Sequence, residues 1–345
     1  MKKDRIKWLR LLPMLIVLSG LVMIVVYAIK ANEAYKGHHR LEKDKTDNDE
    51  ILYEPMPGWR KLDLGGYTIS AAQFDVIGGN EASFPIFAEL KRQCGGNDEK
   101  EMNEIMKNHF SGAGEGFLDA FIKSDRGNNI FLRTDCHLFI SDNLSEIEKR
   151  YAKGDNVELE YEVIGYNDMV FFTHRDNPVD SLTVQQIKDI YSGRITNWKD
   201  VGGKDEEITA FQRGNPYTQK AMEKYVMKDS SLMSSKERYI KRKFRENELI
   251  ENEYLNRTGS IGYTFGYFYK KLYDSEDIKI IKIDGVSPDE DNIRSGAYPF
   301  GIPCYAFTVK GDDNDVWQVR DFLLSDEGQQ VIRMSGYCPA RECGD

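Results

Sequence analysis

An α/β fold is what this chain predicts, and three observations carry the prediction. From Tyr67 onward, short β-rich runs alternate with stretches of helical periodicity. One stretch, SLTVQQIKDIYSG, is framed as a helix at both ends. Thr183 and Gln186 stand at capping-box spacing, Val184, Ile187, Ile190 and Tyr191 make one apolar stripe, and Gly193 closes it. Finally, 345 residues with 40% hydrophobic and 30% charged side chains suffice for one large two-lobed domain or two small ones.

The chain opens with Lys2, Lys3, Arg5, Lys7 and Arg10 against Asp4 alone, followed by an uncharged apolar run from Leu11 to Ile29. About 20 apolar residues span a bilayer as a helix, and excess Lys/Arg marks the cytoplasmic side. Residues 1–30 therefore read as a cytoplasmic head and transmembrane anchor, with a signal peptide cleaved after Val26-Tyr27-Ala28 as the alternative. Either way the remainder lies outside the cytoplasm, as a single-pass membrane protein or a secreted one. Residues 31–63 are polar and charged, with Pro55, Pro57 and Gly58, and read as a stalk.

Beyond the stalk, YTISAAQFDVIGG reads as a strand ending in a glycine pair, and Pro85 opens a helix carrying Ile86, Phe87 and Leu90. IGYNDMVFFTHRDNP is a second strand, closed by Asn-Pro. The tail reads as a helix over Val316 to Leu324, a Ser325 cap, and a helix through Val331 and Ile332 before Gly336.

The composition excludes several functions. A net charge of −10 argues against nucleic acid as a partner. The five histidines lack metal-ligand spacing, and the chain has no G-x-S-x-G, P-loop or G-x-G-x-x-G motif, so no enzyme, metal or cofactor is expected. The five cysteines lack C-x-x-C spacing; a disulfide of Cys338 with Cys304 or Cys343 and five idle thiols both remain open. Binding chemistry is better represented. An anion site needs N–H groups at helix starts, hydroxyl donors and an arginine. Gly78 to Pro85, Ser111 to Gly116, and Arg213 to Thr218 each join such groups to a helix start.

The stretch NPVDSLTVQQIKDIYSGRITNWKDVGGKDEEITAFQR, from Asn177 to Arg213, resembles the phosphate-binding proteins of ABC uptake systems. The similarity continues through Ile261-Gly262-Tyr263, Ile283 to Val286, Tyr298-Pro299 and SDEGQQVIRMSGYCPA. The resemblance implies a type II periplasmic-binding-protein fold in residues 64–345, with lobe I over about 64–163 and 296–345 and lobe II over about 164–295. It also implies a ligand set. Ser83 and the Phe84 N–H match the first anion loop, Ser111 stands for a serine of the second, and Asp135 stands for the carboxylate facing a protonated phosphate. Arg213 matches the charge partner and Thr218 the last hydroxyl. Where the family has Ser-Gly before that threonine, this chain has Pro216-Tyr217, which lacks an N–H donor and adds a ring. Glu81 adds a carboxylate beside the first loop.

The expectation is thus an anchored, non-enzymatic receptor for a small oxyanion, most simply phosphate, delivered to an ABC permease. The alternative is a degenerate domain of the same fold, working as a sensor or protein-interaction module with little anion affinity. Trp198 and Tyr263 read as core residues, and Asp168 as a strand-end cap.

Overall fold

The computed structural model describes residues 55–95, 136–142, 158–213, 216–232, 257–272, 277–311 and 315–344. All fall within one compact unit, Asn48–Asp345. Among the described residues no helix is long and apolar enough to cross a membrane, and Leu11 to Ile29 lies outside them.

The first elements correct one expectation. YTISAAQFDVIGG is not a single strand: Ala71–Asp75 forms helix α1, and only Ile77–Gly79 forms strand β1. The cause is local. Ser70 accepts from the Gln73 N–H, and the Gln73 side chain accepts from the Ser70 N–H, a reciprocal cap that nucleates a helical turn. A short 3-10 turn, Glu81–Ser83, then leads into helix α2, Phe84–Leu90, which is buried all round. A π-turn, Lys91–Gly95, extends it.

The stalk expected up to residue 63 is tied to this helix before it ends. Trp59 Nε1 donates to Glu89 Oε1 at 2.8 Å, Lys61 Nζ to the Arg92 carbonyl at 3.1 Å, and the Leu62 N–H to Gln93 Oε1 at 3.0 Å.

Strand β2, Leu138–Ser141, runs parallel to β1, and β3 covers Leu159–His174. Strand β4 is Ser181–Leu182, followed by helix α3, Val184–Tyr191. Both bonds of the Thr183–Gln186 capping box form, and Gly193 takes φ 77° where the helix stops. Strand β5, Thr209–Ala210, precedes helix α4, Pro216–Ala221, and a π-turn, Met222–Met227. Strand β6, Ser260–Phe265, helix α5, Gly266–Leu272, and strand β7, Ile278–Ile283, follow. Helix α6, Glu290–Arg294, and strand β8, Gly301–Val309, come next. Helices α7, Trp317–Leu323, and α8, Asp326–Met334, then lead to strand β9, Cys338–Pro339. Ser325 caps α8 through the Gly328 N–H, as the tail predicts.

Strand β3 organises the molecule. Its first part, Leu159 to Asp168, pairs with β8, and β8 pairs with β2 and thence β1. Its last part, Met169 to His174, pairs with β6 on one side and β7 on the other. β6 carries β5 in parallel, and β7 carries β4. One strand therefore serves two sheet halves, and the passage between them falls at Asp168 and Met169. Met169 is pinned there: its N–H donates to the Phe300 carbonyl, and its carbonyl accepts the Tyr298 hydroxyl at 2.8 Å. From Met169 to Thr173 every residue of β3 is buried, as in a strand covered on both faces.

All five cysteines are free thiols. A Cys304–Cys338 disulfide is ruled out by the sheet, because β8 and β9 flank β3 on opposite sides, at Gly165 and Tyr166.

Candidate functional site

Three chain segments leave the carboxyl ends of parallel strands, where open α/β sheets bind ligands. Asn80 to Phe84 follows β1, Asp142 follows β2, and Gln212 to Thr218 follows β5. Ser83, Phe84, Arg213 and Thr218 stand on these segments. Ser111 and Asp135 lie outside the described residues, as do the side chains of Glu81, Pro216 and Tyr217.

Arg213 is 2% exposed and Thr218 is fully buried. Burial of a guanidinium is uncommon, because removing this charged group from water without compensation costs several kcal/mol. The loop holding it is braced by two residues. Tyr263, on β6, lies at 3.3 Å from the Arg213 N–H as acceptor, and its hydroxyl donates to Gln219 Oε1 at 2.5 Å. Gln219 Oε1 also accepts the Arg213 N–H at 3.2 Å. Tyr263 is core, as expected, but its hydroxyl has this second task, which an apolar pattern cannot announce. Among the described residues Arg213 Nε and Nη1 and Thr218 Oγ1 are buried atoms with no hydrogen-bond partner, while both residues hold other contacts.

Helix α4 begins at Pro216. Proline is well suited to the first helical position, where its fixed φ is already helical. The same fit removes one N–H from the helix turn beside Arg213.

Across the sheets, Ser83 is 1% exposed, and its hydroxyl lies 2.6 Å from the Ile140 carbonyl and 2.8 Å from the Asn80 carbonyl. A hydroxyl has one proton, so Ser83 here ties the β1–α2 turn to β2 instead of presenting a donor to a ligand. Phe84 is buried at the first position of α2.

A carboxylate does stand at this end of the sheet, and it is Asp142. Its Oδ1 accepts from Asn80 Nδ2 at 2.6 Å, and its Oδ2 accepts from the Tyr225 hydroxyl at 2.6 Å, with Lys224 Nζ at 3.7 Å. The signal for it was available, since Ile140-Ser141-Asp142 closes a buried strand with a polar pair. Burial first, and the Asp142 charge second, hold the Tyr225 phenol well above its ordinary pKa, so it keeps its proton.

Asp168, on β3, is 1% exposed, and burial raises its pKa against the lowering effect of Lys270 and of its own backbone bond. Among the described residues its Oδ1 finds no hydrogen-bond partner. A Cβ at Gly266 would fall 2.2 Å from its Oδ2, so only glycine lets α5 start there. This carboxyl is packed between elements and is not a strand-end cap. Among the described residues no group of His, Cys, Asp and Glu is arranged to hold a metal.

A family profile described as "PBP superfamily domain" matches residues 123–329. A curated relative named phosphate-binding protein PstS, from Borreliella burgdorferi, is 24% identical over 182 residues, covering 51% of this chain and 64% of that one. Across three such relatives the matched stretch is 64%, 53% and 60% of the relative's own length. Among solved structures, PstS from Borrelia burgdorferi superimposes with a TM-score of 0.56 at 19% identity, covering 77% of this chain and 98% of that one. A phosphate-bound putative phosphate ABC transporter substrate-binding protein from Clostridium perfringens gives 0.51 at 22% identity, covering 77% and 98%. The shared fold is the mixed α/β architecture described above.

Proposed function

From the premise that the chain belongs to the PBP superfamily, we propose that it is a non-enzymatic receptor that captures a phosphate-like oxyanion and delivers it to an ABC permease. The observation that carries this reading is the buried pair Arg213 and Thr218, set together where the chain leaves β5 and enters α4. The names of the relatives and structural neighbours supply the ligand class. The two sheet halves are read as lobes I and II, with β3 as one connection between them.

In this reading Arg213 supplies the compensating charge and Thr218 a hydroxyl donor. Ser83 contributes by fixing the first loop to β2. Leu11 to Ile29 is read as the anchor that keeps the receptor at the outer face of the membrane, with a secreted form as the alternative.

A thermal-shift titration tests the proposal. Millimolar phosphate is expected to raise the melting midpoint, and Arg213→Ala to abolish the rise. No shift with phosphate, sulfate, molybdate or phosphonates would sink transport capture. A second reading, a sensor or interaction module of the same fold, is favoured by Pro216, which withholds one donor at the start of α4. It predicts that flat response.

A further inference from the structure

We propose that Tyr225 and Asp142 form a latch that holds the two halves of the domain together without any ligand. The latch rests on the two-lobed reading above and adds that closure is built from the protein's own groups.

The two residues belong to different halves. Asp142 leaves β2, which is bound through β8 to the first part of β3. Tyr225 sits on the π-turn after α4, whose Met222, Val226 and Met227 are buried. That turn follows β5, which pairs with β6 and so with the last part of β3. The two residues are 83 apart in the chain, so the 2.6 Å bond from the Tyr225 hydroxyl to Asp142 Oδ2 clamps one half to the other.

Further contacts flank both ends of the clamp. Asn80 Nδ2 fixes Asp142 Oδ1 from the first half at 2.6 Å, and Asn80 in turn lies 3.1 Å from Ser141 Oγ. On the second half, Lys224 stands over the Tyr225 ring with its ammonium 4.6 Å from the ring centroid and 3.7 Å from Asp142 Oδ2. A neutral phenol donating to a carboxylate makes a short, charge-assisted bond. Tyr225 is half-buried, so water competes for it only in part. The acceptor sites of Asp142 are thereby taken by protein donors, and a bound anion is not needed to complete them.

Single-molecule energy transfer in the full chain, solubilised in detergent micelles and scavenged of phosphate, tests this. Fluorescent unnatural residues at Asp321 and Lys282, both exposed, report the separation of the halves. The wild type is expected to show mainly the high-transfer state with no anion present. Tyr225→Phe, which keeps the ring, is expected to move the closed-to-open ratio about tenfold or more toward open, as for losing a hydrogen bond to a charged group. Asp142→Asn is expected to move it in the same direction. A wild type that is mainly open without anion would overturn the proposal, as would a Tyr225→Phe distribution matching the wild type. Should Tyr225→Phe lose its cooperative melt, Asp142→Asn carries the same two outcomes. Phosphate titration of the wild type separates this inference from the binding proposal. Variants that open in a protein indifferent to phosphate leave the latch standing and the receptor reading fallen. A phosphate-binding protein whose Tyr225→Phe variant stays closed gives the reverse.

Discussion

Asp168 is a carboxyl that the fold accepts at a cost, and the cost depends on pH. Burial raises its folded pKa above the ordinary 3.8. The stability associated with a raised pKa is complete below the unfolded value and is lost as pH rises through the folded one. Asp168→Asn removes that loss. The melting midpoint of the variant relative to wild type is therefore expected to climb as pH rises above the unfolded carboxyl value of about 4; a pH-independent difference would contradict the burial argument. The site residues show what sequence carries at this scale. The placing of Arg213 and Thr218 between a strand and a helix start is legible because these follow one another in the chain. The Ser83 donor was misread because its hydroxyl meets the Ile140 carbonyl, 57 residues away, a contact with no local trace. The pairing of Asp142 with Asn80 and Tyr225 is not legible for the same reason, both being distant in sequence.

Helix α2 is held by a polar cluster as well as by its apolar face. Glu89 is 1% exposed and accepts from Trp59 Nε1, Gln93 Nε2 and Arg92 Nη1. Truncating it takes one acceptor from two buried donors and from the half-buried Trp59, so Glu89→Ala is expected to cost about 3–5 kcal/mol, measured by urea denaturation. A loss below about 1 kcal/mol would mean that the donors find water. Capping explains which elements could be read in advance. Thr183 with Gln186, and Ser325 before α8, are short-range signals, and both helices form where they point. Ser70 with Gln73 is the same signal, and it outranks the strand-like composition around it. The end of the stalk was not legible, because its attachment is through Glu89 and Gln93 on a helix about 30 residues later.

At the scale of the molecule, the sharing of β3 couples the two sheet halves. Trp59 reports on the first half through Glu89, and Trp198 on the second through its bond to the Gly259 carbonyl at 2.9 Å. Unfolding followed by fluorescence in proteins that keep only Trp59 or only Trp198, with Trp8, Trp317 and the other of the pair replaced by Phe, is expected to give coincident midpoints once each is matched to its own circular-dichroism curve. Two separated transitions would show that the halves melt alone. The α/β alternation, the tail helices and the family resemblance made the architecture readable, whereas strand order and the crossing point depend on pairings between remote segments. The family relation adds a frame for the site and leaves its chemistry to these particular residues.

The unbroken run of β3 also limits how the chain can change. Side chains along a strand alternate sides, so one residue inserted between Asp168 and Met169 would leave the pairing with β8 intact while turning Phe171 and its neighbours inside out against β6 and β7. Length variation in descendants of this chain is therefore expected to accumulate in its connecting loops, while the spacing from Leu159 to His174 stays constant.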